Sequence, residues 1–157
     1  SEMCIRDRYY FADQAHLGRL EGQGKVIECR TYDTVFGPWS YFTADDGQID
    51  LDHGNYLMIG TLDSYEKMVK YYGKEILVPI YIYVDDGVRL QRALDREKSQ
   101  KSPKYTEMCR RYLADENDFS PERLTQCGIA GGYENGDLNT CICSVLKDIE
   151  DKMKPKL

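Results

Sequence analysis

Two stretches of the chain repeat apolar residues at the spacing of an amphipathic helix. The stronger one covers residues 138–153, where Asp137 is placed to cap the helix and the apolar positions are Leu138, Cys141, Ile142, Val145, Leu146, Ile149 and Met153. The second repeats at i, i+3, i+4, i+7 and i+8 and consists of Tyr105, Met108, Cys109, Tyr112 and Leu113. Because such a stripe usually faces the protein core, we predict that the last helix packs on a sheet.

Two continuous apolar runs predict strands that are buried on both faces. They are YLMIGT at residues 56–61 and ILVPIYIYV at residues 76–84, where Pro79 marks the start of the strand. The segment between them predicts a helix that Asp63 or Ser64 caps and Gly73 ends. Strand, helix and strand in this order form the βαβ unit of α/β proteins.

The remaining pattern predicts shorter elements. A helix is expected over residues 11–23, two short strands over 26–31 and 39–43, and a helix from the turn at 85–87 to about Lys98. A loop follows at 99–104, and a short helix opens at Ser120 with Pro121 in its first turn. Residues 128–134 could form a last, weak strand.

Length and composition are those of one globular domain. The chain has 157 residues, and no apolar run approaches the roughly 20 residues of a membrane helix. Six cysteines without a C-x-x-C pair predict free thiols in a reducing cytosol. With only two histidines, a structural zinc site is not expected. We therefore predict a cytoplasmic protein without a membrane partner.

Charge is distributed unevenly along the chain. The net charge is −6, which argues against a general nucleic-acid binder. Residues 89–111 nevertheless carry +5, so the rest of the chain carries −11. Arg92 and Arg96 share one predicted helix face, and Arg110 and Arg111 lie outside the apolar stripe of the next helix. Because arginine can bind two phosphate oxygens at once, this segment predicts a phosphate site; the alternative is a solvated helix pair with mixed charges.

Short motifs in and after this segment resemble the guanylate kinase family. Residues 92–96 (RALDR) are similar to the R-L-x-x-R at the entrance to that family's lid, and residues 80–82 fit the strand before it. Residues 110–114 (RRYLA) resemble the R-L-x-x-A helix that leaves the lid, and residues 135–138 (NGDL) resemble the N-D-D-L near the adenine site. The resemblance implies a lid at 97–109, lid or transition-state roles for Arg92, Arg96 and Arg111, and an ATP contact at Asn135.

The beginning of the chain resembles the nucleotide-acceptor region of the same family, here residues 9–46. Residues 9–11 (YYF) are similar to D-Y-x-F, which implies that Tyr9 contacts the GMP phosphate. Residues 26–28 (VIE) resemble F-I-E or F-L-E, which implies that Glu28 accepts hydrogen bonds from guanine. Residues 35–37 (VFG) resemble Y-Y-G and imply substrate contacts at Phe36 and Gly37. A carboxylate suits guanine because N1–H and the 2-amino group are parallel donors, which adenine lacks.

Taken together, the resemblance implies an α/β fold with a P-loop NTPase-like parallel sheet flanked by helices, a small nucleotide-acceptor subdomain and a lid. It implies ATP-dependent phosphorylation of GMP to GDP with Mg²⁺, in a domain over residues 9–157. It implies no metal ligand among the site residues. Residues 1–8 (SEMCIRDR) resemble a translated sequencing adaptor, and we interpret them as a non-native segment.

The chain departs from the family pattern in three places. Phe36 lacks the hydroxyl of the second tyrosine, and residues 58–62 lack the acidic pair of the family's D-x-D-x-Q-G. No G-x-x-x-x-G-K-[ST] occurs, so we expect the first strand and the phosphate loop to precede Tyr9 and the sequence as written to be catalytically inactive. The alternatives are a non-catalytic guanylate kinase-like binding module and a kinase for another nucleotide or a small phosphorylated metabolite.

Each proposed site residue also has a purely structural interpretation. Glu28 could face solvent on its strand, and Arg92 and Arg96 could make only surface ion pairs. Tyr9 could only pack, and Asn135 could only form a turn.

Overall fold

The computed structural model describes residues 12–34, 37–47 and 49–153, with the backbone alone at 32–34 and 37–39. Six helices and four strands occur in these ranges. The helices are α1 (Gln14–Gly22), α2 (Leu62–Tyr72), α3 (Asp86–Lys98), α4 (Tyr105–Asp118), α5 (Pro121–Gln126) and α6 (Leu138–Met153). The strands are β1 (Val26–Thr34), β2 (Gly37–Ala44), β3 (Ile82–Tyr83) and β4 (Tyr133–Glu134).

β1 and β2 form an antiparallel hairpin. Pairing runs from Val26 opposite Ala44 to Thr34 opposite Gly37, so both strands extend beyond the predicted ranges 26–31 and 39–43. The register shifts between Val26 and Glu28, which is a β-bulge at the start of β1. Bulges interrupt regular pairing and change the direction of neighbouring side chains, so this one sets the orientation of the residues that follow it.

α1 packs against this hairpin and supplies part of the small core. It begins at Gln14, because the Asp13 carboxylate accepts a hydrogen bond from the backbone N–H of His16 at 2.7 Å and caps the helix. Leu17 and Leu20 are buried on one face of α1, and Ile27 of β1 is buried as well. The predicted start at residue 11 lies outside the described residues.

α2 starts two residues earlier than the sequence pattern suggested. Its N-cap is Thr61, whose hydroxyl accepts a hydrogen bond from the Ser64 N–H at 3.4 Å, and the prediction of Asp63 or Ser64 as the cap is wrong. Thr61 is the N-cap because its backbone is extended, as an N-cap requires. Asp63 already lies in the first turn, where its negative charge interacts favourably with the helix dipole and stabilises α2. Gly73 ends α2 as predicted, with φ of 90°, which favours glycine.

The two predicted buried strands differ most from the structure. Residues 56–61 form no strand, and within residues 76–84 only β3 pairs, in parallel with β4. The side chains of Leu57 and Ile59 are exposed by 82% and 78%. A strand forms only where a neighbour accepts and donates its backbone hydrogen bonds, and no strand in the described ranges pairs with residues 56–61. The P-loop NTPase-like parallel sheet therefore stays a prediction.

The helices of the second half agree well with the sequence pattern. Asp85 caps α3 by accepting from the Val88 N–H at 3.1 Å, and Ser120 caps α5. α3 and α4 pack together through Arg89, whose guanidinium lies 4.2 Å from the Tyr112 ring centroid and forms an ion pair with Glu116. None of the helices in the described ranges is both long and apolar enough to cross a bilayer.

α6 packs against β4, although much of its apolar face is uncovered. Cys141 is buried, and the Tyr133 hydroxyl donates to Asp148 at 2.8 Å. On the same helix Leu138, Ile142, Leu146 and Met153 remain exposed. The predicted amphipathic helix is therefore present, but it buries only part of its stripe.

Candidate functional site

Glu28 occupies a sheltered position at the base of the hairpin. Its side chain is only 12% exposed, directly after the bulge in β1. The Arg30 Nε donates to the Glu28 Oε1 at 2.6 Å. The low exposure argues against a solvent-facing glutamate, whereas the bond to Arg30 is also compatible with a surface ion pair.

Arg30 is itself held by the beginning of α2. Its Nη2 donates to the Thr61 hydroxyl at 2.8 Å and lies 3.9 Å from the Asp63 Oδ2. Asp63 also pairs with Arg123 of α5, which reaches Glu66 at 3.3 Å. The Glu28 carboxylate is thus the end of a polar network that joins the hairpin to two helices.

Arg92 and Asn135, which the sequence assigned to different functions, are in direct contact. Arg92 Nη1 donates to the backbone carbonyl of Asn135 at 2.8 Å, and its Nη2 donates to that of Gly136 at 2.9 Å. The Asn135 N–H in turn donates to the Tyr83 carbonyl at 2.7 Å. Arg92 therefore fixes the loop between β4 and α6, and its bonds go to backbone rather than to a surface carboxylate.

Arg111 and Arg110 share one carboxylate on α4. Glu107 accepts two hydrogen bonds from Arg110, at 2.7 and 2.8 Å, and one from Arg111 at 2.9 Å. Hydrogen bonds from Arg110 and then Arg111 lower the pKa of the Glu107 carboxyl to about 2. At neutral pH Glu107 is ionised, so a phosphate that contacts Arg111 competes with an existing ion pair.

The last turn of α3 and the loop that follows it present cations that have no carboxylate partner among the described residues. Arg96, at the end of α3, is exposed, and its side chain has no hydrogen-bond or ion-pair partner among the residues the structure describes. The same holds for Lys98, Lys101 and Lys104. Exposed lysines and arginines in this number create a local positive potential that attracts small anions.

A concave region lies between β4 and the first turns of α6. Its volume is about 400 Å³, within the range of small-ligand sites, and its lining includes Gly132, Tyr133, Gly136, Asp137, Thr140 and Cys141. Hydrogen bonds from the backbone and the hydroxyl of Thr140 lower the pKa of Asp137. A Cβ on Gly132 would lie 2.6 Å from the Tyr81 carbonyl oxygen, so only glycine fits there. This region adjoins the loop that Arg92 holds.

The structure leaves some predicted site residues unconnected. No contact among the described residues links Glu28 with Arg92, Arg96 or Arg111. Tyr9 and Phe36 lie outside the described residues, and Gly37 opens β2 opposite Thr34. Within the described ranges, no group of three His, Cys, Asp or Glu side chains could hold a metal ion.

Two residues of this arrangement were missed at the level of sequence. Arg30 follows Glu28 by two positions in a predicted strand, and side chains two apart lie on the same face; that spacing could have found it. Gly132 carries no comparable signal, because its constraint is the close approach of β3 to β4.

No protein-family model, no curated protein and no solved structure matches the chain. The guanylate kinase-like resemblance therefore depends on the short sequence motifs alone.

Proposed function

We propose that the protein is a guanylate kinase-like phosphotransferase, in which Glu28 selects GMP as the acceptor of a phosphoryl group from ATP. The observation that carries the proposal is the Glu28 carboxylate, sheltered in the hairpin and held by Arg30 at 2.6 Å. An oriented, largely desolvated carboxylate is the group that recognises two parallel N–H donors. The reaction is assigned to the cytoplasm, where exposed thiols such as Cys109 and Cys143 stay reduced.

Base selection follows from the hydrogen-bonding groups of the purines. Guanine presents N1–H and the 2-amino group, and a carboxylate accepts from both. Adenine presents an unprotonated N1 at the same edge, so its lone pair would face the carboxylate oxygen. An unfavourable contact of this kind discriminates more strongly than a missing favourable one.

Phosphoryl transfer needs positioning and charge neutralisation rather than covalent chemistry. Arg96 and the loop lysines can exchange water for phosphate oxygens without breaking an ion pair among the described residues. Arg111 can bind a phosphate oxygen only by giving up its bond to Glu107. Arg110 then still neutralises that carboxylate. Mg²⁺ enters as part of the MgATP substrate. The concave region between β4 and α6, next to Asn135, is the proposed location of the adenine of ATP.

A titration with two nucleotides tests the proposal. We expect isothermal calorimetry to give a dissociation constant for GMP about 100-fold lower than that for AMP, because one purine satisfies the Glu28 carboxylate and the other opposes it. Equal affinities would rule out base recognition by Glu28. No binding of either nucleotide would favour the non-catalytic binding module.

A further inference from the structure

We propose that Arg30 is a positioning residue for base recognition: its hydrogen bond to one oxygen fixes the orientation in which the Glu28 carboxylate presents its oxygens to the purine. The inference rests on the proposed selection of GMP by Glu28. It assigns to Arg30 a role that no motif in the sequence suggested.

Strand geometry explains why these two side chains meet. Residues two apart on a strand project from the same face, and β1 pairs regularly with β2 from Glu28 to Thr34. Arg30 therefore extends alongside Glu28, and its Nε reaches Oε1 at 2.6 Å. The described hydrogen bond goes to Oε1 rather than to both carboxylate oxygens.

A single fixed oxygen is enough to orient a carboxylate. The last torsion of glutamate is broad, so an unrestrained carboxylate rotates and presents its oxygens in many directions. Binding one oxygen to a rigid donor removes most of this freedom before the ligand arrives. The recognition geometry is then preorganised, and less entropy is lost on binding.

Arg30 is a rigid donor because it is anchored at its other end. Its Nη2 donates to the Thr61 hydroxyl at 2.8 Å, and Thr61 is the N-cap of α2. The Asp63 carboxylate lies 3.9 Å away and is itself paired with Arg123. Moving the guanidinium would break the bonds to Glu28 and Thr61 together, so the orientation of the Glu28 carboxylate depends on the beginning of α2.

A positioning role and a structural role make different predictions for Arg30 variants. Misdirecting the Glu28 carboxylate weakens the binding of GMP, which needs it, and does not weaken the binding of AMP, which it opposes. General loosening of the hairpin weakens both nucleotides alike. The ratio of the two dissociation constants therefore separates the two roles.

The experiment measures dissociation constants for GMP and AMP in the wild type, Arg30→Met, Arg30→Lys and the control Arg19→Met. We expect Arg30→Met to lower the GMP preference about 10-fold, with weaker binding of GMP and no weaker binding of AMP. Arg30→Lys should fall between it and the wild type, because one ammonium cannot bond Glu28 and Thr61 as the guanidinium does. Arg19→Met should keep the wild-type ratio, since the exposed Arg19 side chain of α1 contacts His16 and neither Glu28 nor Thr61.

An unchanged preference in both Arg30 variants, in a wild type that prefers GMP, overturns the positioning role and leaves the proposed function standing. A wild type without a GMP preference overturns the proposed function, and the positioning role with it. If Arg30→Met shows no cooperative thermal transition, it is not folded. The ratio of the GMP and AMP dissociation constants in Arg30→Lys then tests the positioning role.

Discussion

Glu28→Gln lowers the affinity for GMP about 100-fold and does not lower the affinity for AMP, whose unprotonated N1 no longer faces a carboxylate. The substitution keeps the size of the side chain but replaces one acceptor oxygen by an NH₂ donor, which then faces a donor of guanine. Hydrogen bonds to a charged group contribute about 1.5–3 kcal/mol each, and about 1.4 kcal/mol corresponds to a factor of ten. Isothermal calorimetry with each nucleotide measures the effect.

The matched control is Glu21→Gln in α1, which is the same change at an exposed carboxylate. Both nucleotide affinities should stay at their wild-type values in this variant. A GMP affinity that falls equally in the two variants would show that net charge, and not base recognition, is responsible. The role of Glu28 would then have to be abandoned.

Arg92→Met is expected to lower the melting temperature by about 3–6 °C. Arg92 is the side chain that ties α3 to the loop before α6, through bonds of 2.8 and 2.9 Å to two carbonyl oxygens. Water replaces part of these exposed bonds, so the loss is about 1.5 kcal/mol. In a domain of this length each kcal/mol shifts the melting temperature by about 2–4 °C. Differential scanning calorimetry measures the shift.

Arg96→Met provides the comparison on the same helix. Arg96 lies one turn further along α3, with no side-chain partner among the described residues, so its melting temperature should change by less than about 2 °C. Equal shifts in the two variants would mean that Arg92 does not hold the loop. Its hydrogen bond to the Asn135 carbonyl would then not stabilise the fold.

Elements defined by local signals were predicted well from the sequence. α3 starts at Asp86 because Asp85 caps it, α5 follows the Ser120-Pro121 signal, and α6 keeps its full predicted length. These features depend on residues within one helical turn. The segment 56–61 has equally strong β-type composition, yet it forms no strand, because strand formation depends on a partner that no local pattern specifies.

The candidate site shows the same division. The resemblance implied a lid or transition-state role for Arg92, which no contact of the described residues tests; its guanidinium bonds the backbone of the 135–136 loop. That contact joins residues more than forty positions apart, whereas each motif in the sequence covers only a few neighbouring residues. The bond from Arg30 to Thr61 is likewise long-range, so only the pairing of Arg30 with Glu28 could be inferred from spacing.

A crystal structure of the protein with bound GMP is the decisive measurement of guanine recognition by Glu28. We expect the guanine N1 and 2-amino nitrogen at about 3 Å from the Glu28 carboxylate oxygens, with the phosphate directed towards the cationic segment 89–111. Guanine bound elsewhere, or a phosphate pointing away from Arg96 and the loop lysines, would contradict it.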